Sequence, residues 1–417
     1  MKIAVVGSGI SGMTAARVLA RRNDVTLFEA TDYVGGHTNT IRVAEGSRTL
    51  AVDTGFIVFN EPNYPNLCAL FREIGVESRE SDMSFSVHCE KSGFEYNGSR
   101  PATLIAQRRN LLRPRFWRML AEILRFNRDA PQALAESIVD TITVAEYIEK
   151  NRHSGAFVEH YLVPLGASLW SCDANGFLRF PMRFVIEFLM NHAMLEIEGR
   201  PTWRTVVGGS DAYVGPLTEP FRERIRLRTP VRAVIRAGAG VELVFDAGQR
   251  QRFDEVILAC HADQSLRLVA NPEPEECEIL AHFPYQVNDA VLHTDTALLP
   301  DRPKAWASWN YRIPADPRDR VTVTYNMNML QGLESKETYC VSLNQTERIE
   351  ARKIIRRIRY EHPLFMPGRD QAQASHAAMI RRRGISYCGA YWGFGFHEDG
   401  VRSALCVSDA FDMSLAA

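Results

Sequence analysis

Short apolar runs separated by glycine-rich turns open the chain. Lys2–Val6 (KIAVV) is apolar on both faces and β-branched, the pattern of a strand buried in a parallel sheet. Gly7-Ser8-Gly9-Ile10-Ser11-Gly12 follows at once; Met13 to Arg22 then reads as an Ala- and Leu-rich helix, and Val25 to Phe28 as a second strand ending at Glu29. The pattern predicts a βαβ unit about thirty residues long. Farther on, Phe184 to Met194 has helical periodicity, and Ala290 to Tyr325 alternates as strands do around Trp306, Trp309 and Tyr311. These predict helices packed over an antiparallel sheet. Asn271-Pro272-Glu273-Pro274 is the clearest linker.

The first glycines have mechanical roles. Gly7 makes the tight turn, Gly9 lets backbone approach a pyrophosphate, and Gly12 allows close helix-to-strand packing; Ser11 joins them in the expected cofactor-binding set. Glu29 lies where a carboxylate accepts hydrogen bonds from a ribose diol and repels a 2′-phosphate, so the unit favours FAD or NAD over NADP.

Tyr33-Val34-Gly35-Gly36-His37-Thr38 resembles the second fingerprint of the flavin amine oxidase superfamily, which includes monoamine oxidase, protoporphyrinogen oxidase and phytoene desaturase. Val52-Asp53-Thr54-Gly55-Phe56, Thr202 to Val214, Thr229-Pro230-Val231, Glu255 to Cys260 (with Ala259) and Gly389 to Leu405 (with Gly400 and Val401) resemble its later motifs, in family order. The resemblance implies FAD as cofactor and an α/β fold: a discontinuous Rossmann-type FAD-binding domain (roughly 1–80, 200–270 and 385–417) with an α+β substrate domain (81–199 and 271–384). Two departures stand out: Ala390 where the family usually has an acid, and His37 where relatives often carry Arg.

Composition narrows the setting. The chain has 417 residues, enough for two to three domains at about 150 each. Forty-nine basic residues against 50 acidic ones give a net charge of −1, so no global field points to nucleic acid. The eight cysteines form no C-x-x-C pair, so no metal site is expected and the thiols read as reduced. No run approaches the ~20 apolar residues that span a bilayer, and a cytoplasmic protein is expected. Residues 108–128 carry seven arginines against the single acid Glu122, with Phe116, Met119, Leu120, Ile123, Leu124 and Phe126 at helical spacing. That helix either lies on the anionic inner membrane surface or is a solvated helix with its stripe in the core. Arg381-Arg382-Arg383 reads as a solvated turn.

Flavin chemistry needs a C–H bond held over N5, water excluded, and a proton removed. Family position places His37, Phe56, Asn60, Glu61, Tyr391, Trp392 and His397 near the ring or its entrance. Glu61, His397 and Tyr391 are the catalytic candidates, the first two as proton acceptors and Tyr391, with Trp392, as a wall of the flavin face; surface or core roles are the alternatives. Trp170, Phe177, Phe180, Phe184 and Phe188 either line an apolar tunnel or pack a core. Amine oxidation, which often uses a lysine near N5, is disfavoured: the six lysines sit in no convincing motif, Lys304 being the nearest. Gly55 to Leu67 and Ala305 to Tyr311 resemble a bacterial branch associated with cyclopropane-type or methylated fatty acyl modification. The expected activity is hydride transfer from a lipid-like substrate to flavin N5, with desaturation of a methyl-branched or unsaturated acyl chain. The final electron acceptor is oxygen, a quinone or another oxidant. A flavin mutase resembling UDP-galactopyranose mutase, and a non-catalytic flavin-binding module, are the alternatives from other classes.

Overall fold

Lys2–Val6 becomes the centre of a five-stranded sheet, in the order Ile225–Arg226, Asp24–Phe28, Lys2–Val6, Glu255–Leu258, Ile385–Tyr387, with every pairing parallel. The computed structural model describes residues 1–196, 198–316 and 320–415. Three distant stretches thus build one sheet, and strand alternation sorts its side chains into two cores. Ile3, Val5 and Ile257 point to the helices Ile10–Leu19 and His397–Asp409, packing with Ala15, Val18, Ala404 and Val407. Ala4, Val6, Val256 and Leu258 point the other way, against Val234, Val241, Leu243 and Phe253 of a three-stranded antiparallel sheet.

The first helix starts at Ile10, three residues before the sequence reading, because Gly9 already serves as its N-cap. Gly12, inside it, is explained by packing: a Cβ there would overlap the Gly7 carbonyl oxygen and stand 3.1 Å from the Ala259 Cβ. Gly12→Val is therefore expected to destabilise the protein by about 3 kcal/mol, since the clash is with backbone that cannot rotate away. Thermal unfolding of the purified variant checks this; an unchanged midpoint would contradict the packing.

The second body is a seven-stranded sheet, in the order Ile354–Pro363, Tyr285–His293, Cys340–Leu343, Val323–Asn326, Trp309–Ile313, Phe85–Cys89, Phe94–Asn97. It is antiparallel except where Trp309–Ile313 runs parallel to Phe85–Cys89. Helices Pro114–Ala135, Val163–Trp170, Ala174–Leu178 and Met182–Asn191 pack beside it through Phe126, Trp170, Phe177, Phe184 and Phe188. Among the described residues no helix is long and apolar enough to cross a membrane. All eight cysteines are free.

Candidate active site

A cavity of about 970 Å³ draws its walls from both bodies. One sector is made by Gly7, Ser8, Gly9, Ser11, Glu29, Gly35, Gly36, Val231 and Ala259, and a second by Met83, Leu169, Trp170, Phe188, Met194, Trp203, Phe365 and Phe394. His37, Gly55, Phe56, Tyr360, His362, Tyr391 and His397 also line it.

The first sector has the features a dinucleotide requires. A Cβ on Gly9 would meet nothing within 4 Å, so that backbone faces open space. No side chain caps the helix that starts at Ile10, leaving its first amides to point at a ligand anion. Glu29 is held rigidly: it accepts from Ser8 N (3.0 Å), Ser8 Oγ (2.6 Å), Thr31 N (2.9 Å) and Thr31 Oγ1 (2.9 Å). Gly35 N donates to Ser8 O (3.1 Å), which ties the glycine doublet to the first turn.

The remaining wall is aromatic and histidine-rich. His397 stacks on Phe56 at 3.7 Å, and its Nε2 lies 3.1 Å from Thr38 Oγ1 and 3.2 Å from Tyr213 OH. Burial pushes His397 down to about 3, so its imidazole is neutral at working pH. His37 stacks on Tyr360 at 4.9 Å and lies 5.4 Å from His362; burial first, then the neighbouring histidines, push it well down. His261, also in the wall, has Nδ1 3.3 Å from Glu361 Oε2. Tyr391 is buried with no hydrogen-bond partner for its hydroxyl among the described residues, and burial raises it well above a normal phenol.

Residues 10–324 match the family of flavin containing amine oxidoreductases. The chain belongs to that family, and FAD is the cofactor that its first sector fits. The chain is 28% identical over 294 residues to the carotenoid phi-ring synthase of Streptomyces griseus, covering 65% of this chain and 54% of that one. Among solved structures, cyclohexylamine oxidase from Brevibacterium oxydans superposes with a TM-score of 0.69 at 15% identity, covering 99% of each chain. The fatty acid isomerase of P. acnes that produces CLA superposes with a TM-score of 0.67 at 14% identity, over 99% of this chain and 98% of that one. The chain spans 61% of the length of the first curated relatives it matches.

Most residues nominated from the sequence converge on the cavity. Gly12, Thr38, Gly400 and Val401 do not reach its wall but stand just behind it: a Cβ on Gly400 would come within 2.9 Å of Ser11 Oγ. Glu61 is the outlier, exposed in the turn before helix Pro65–Glu73 and outside the cavity. Asn60 is buried outside the wall with its Oδ1 accepting from Asn63 N, and Trp392 stacks on His376 at 4.3 Å instead of walling the cavity. Of the aromatic cluster, Trp170 and Phe188 face the cavity while Phe177, Phe180 and Phe184 pack behind them. Lys304 is exposed and away from the wall. The sequence reading missed Trp203, His261, Tyr360 and His362. The spacing of Ile358, Tyr360 and His362, two apart in a strand, was the available signal for the last pair.

Proposed function

We propose that the chain is an FAD-dependent oxidoreductase that desaturates an acyl chain, methyl-branched or already unsaturated. The observation that carries this reading is the second sector: an apolar, aromatic wall continuous with the one that fits FAD, with no lysine among the described residues lining the cavity. The likeness to a fold that also serves a fatty acid isomerase supports it. Desaturation takes two hydrogens from adjacent carbons, one with its bonding electrons and one as a proton. FAD, when bound, supplies the two-electron acceptor.

The protein's own residues supply position, dryness and a base. Leu169, Trp170, Phe188, Phe365 and Phe394 hold the chain and exclude water. Such a wall discriminates modestly between chains one methylene apart, so how far the chain enters sets where it reacts. His261 backed by Glu361 is the proton acceptor we favour: burial pushes it down, and the adjacent carboxylate counters this by stabilising the imidazolium that forms, a partner that His397 lacks. His397, pushed down to about 3, is a weak base.

Anaerobic incubation of the holoprotein with membrane phospholipids tests the reading. Flavin bleaching with loss of two hydrogens from an acyl chain is expected, and His261→Asn should slow bleaching by roughly 100-fold with FAD content unchanged. Bleaching by simple amines but not by lipids would instead identify an amine oxidase, and loss of FAD in His261→Asn would make that residue a cofactor ligand.

A further inference from the structure

The arginine-rich segment does not present the apolar stripe expected of it. Phe116, Met119 and Phe126 are buried in the two clusters that also contain Trp170 and Trp309 of the cavity wall, so the helix Pro114–Ala135 is anchored in the core. A second apolar set is left outside. Leu112 is 87% exposed, Trp117 52% and Leu124 54%. Trp117 Nε1 donates to Leu111 O (2.9 Å), which pins the turn Arg108–Leu112 against the helix and makes Leu111, Leu112 and Trp117 one patch. Trp117, Ala121 and Leu124 continue it along one helical face.

Charge decides what that patch fits. Among the described residues Arg108, Arg109, Arg113 and Arg115 make no ion pair: Arg109 donates to Gly93 O and Arg113 to Asn110 Oδ1 (3.3 Å). The only acid in the segment, Glu122, is occupied by Arg118 (3.1 Å) and by Ser154 N (2.8 Å). A second copy of the chain would bring these unpaired guanidiniums against their own kind. Exposed leucines and a tryptophan among unneutralised arginines match the boundary between anionic headgroups and acyl chains.

We propose that the turn Arg108–Leu112 and the outer face of the helix Pro114–Ala135 dock on an anionic lipid bilayer. The inference goes beyond the oxidoreductase reading and does not rest on it, because vesicle binding is read without turnover. The experiment is flotation of the holoprotein with vesicles of phosphatidylcholine alone, and of phosphatidylcholine with about one third phosphatidylglycerol. Binding is expected only with the anionic vesicles, and it should be largely lost between ~0.1 M and ~1 M salt, where the screening length shrinks from about 10 Å to about 3 Å. Each arginine near such a surface contributes roughly fivefold, so Arg108→Gln with Arg115→Gln should weaken binding roughly thirtyfold. Leu112→Ser should weaken it roughly tenfold or more. Both variants alter exposed side chains, and unchanged flavin absorbance and unfolding temperature show that they are folded. Equal flotation with both vesicles, flotation with neither, or full binding by both variants would overturn the proposal. So would a solution dimer lost in Leu112→Ser, or DNA binding, in the absence of vesicle binding.

Discussion

Glu29→Arg should raise the dissociation constant for FAD by about 100-fold or more, and Glu29→Gln by about tenfold. Glu29 ends the strand Asp24–Phe28 at the cavity rim, beside Thr229 and Val231. Its four accepted bonds from Ser8 and Thr31, two on each oxygen, fix the carboxylate, and the Thr31 hydroxyl has Tyr33 O (3.0 Å) as another acceptor, so a ribose hydroxyl can take its place on Glu29. Hydrogen bonds to a charged acceptor contribute about 1.5–3 kcal/mol each, and those to a neutral one about half as much. Arginine removes the acceptor altogether and sets a cation between the first glycine turn and Thr31. Glutamine keeps one acceptor oxygen and loses the charge. Titration of the FAD-stripped proteins with FAD, followed by flavin fluorescence, measures both. An arginine variant that holds FAD like the parent protein would refute the role given to Glu29, and release of NAD from denatured wild-type protein would refute the cofactor.

The reasons some features were legible in the sequence and others were not are local. Strand, glycine turn, helix and acid lie within the first 29 residues, and each is fixed by its neighbours in sequence, so the βαβ unit and the FAD sector follow from order and spacing. The loop after Gly55 has no period to read. Phe56 turns into the cavity and Glu61, five residues on, turns out to solvent, and only packing against Tyr213 and His397 decides which. His37, His261 and His362 come from three distant segments, and their meeting depends on how the two sheets are docked. On the arginine-rich helix, periodicity identified a buried stripe and could not say which partner buries it. The protein core takes Phe116, Met119 and Phe126. The run Arg381-Arg382-Arg383 is indeed a turn, with positive φ at Arg381 and Arg383, but it is ion-paired to Glu255, Glu273 and Glu275 and not merely solvated.

Acid should unfold the FAD-stripped protein, and buried histidines set the slope. Burial pushes His192, His293 and His362 down to about 4 and His397 down to about 3. Geometry agrees for His293, whose Nδ1 accepts from Asp295 N (3.0 Å), and for His362, whose Nδ1 accepts from Asn288 Nδ2 (2.9 Å). Between the unfolded value near 6.5 and these folded values the unfolded chain takes up four protons that the folded chain refuses, so stability falls as pH falls. Two carboxyls oppose this. Burial, partly countered for Asp53 by hydrogen bonds from Thr40 and Ser210 and for Asp399 by Arg402, raises both to about 6, so the folded state gains two protons that the unfolded state lacks until about pH 4. For these six groups the difference is two protons, or about 3 kcal/mol per pH unit between roughly pH 6 and 4, and His37, His88, His153, His160, His261 and His376, which burial also pushes down, steepen the fall further. Over that range the loss is comparable with the whole stability of many domains, about 5–15 kcal/mol. Denaturant midpoints from pH 7 to 4.5 measure the slope. His293→Gln supplies the control, because His293 lies in the seven-stranded sheet outside the cavity. That variant should lose about 1.4 kcal/mol per pH unit of the dependence. A slope equal to the parent's would mean that His293 already carries a proton in the folded protein, and the hydrogen bond from Asp295 N would have to be reassigned.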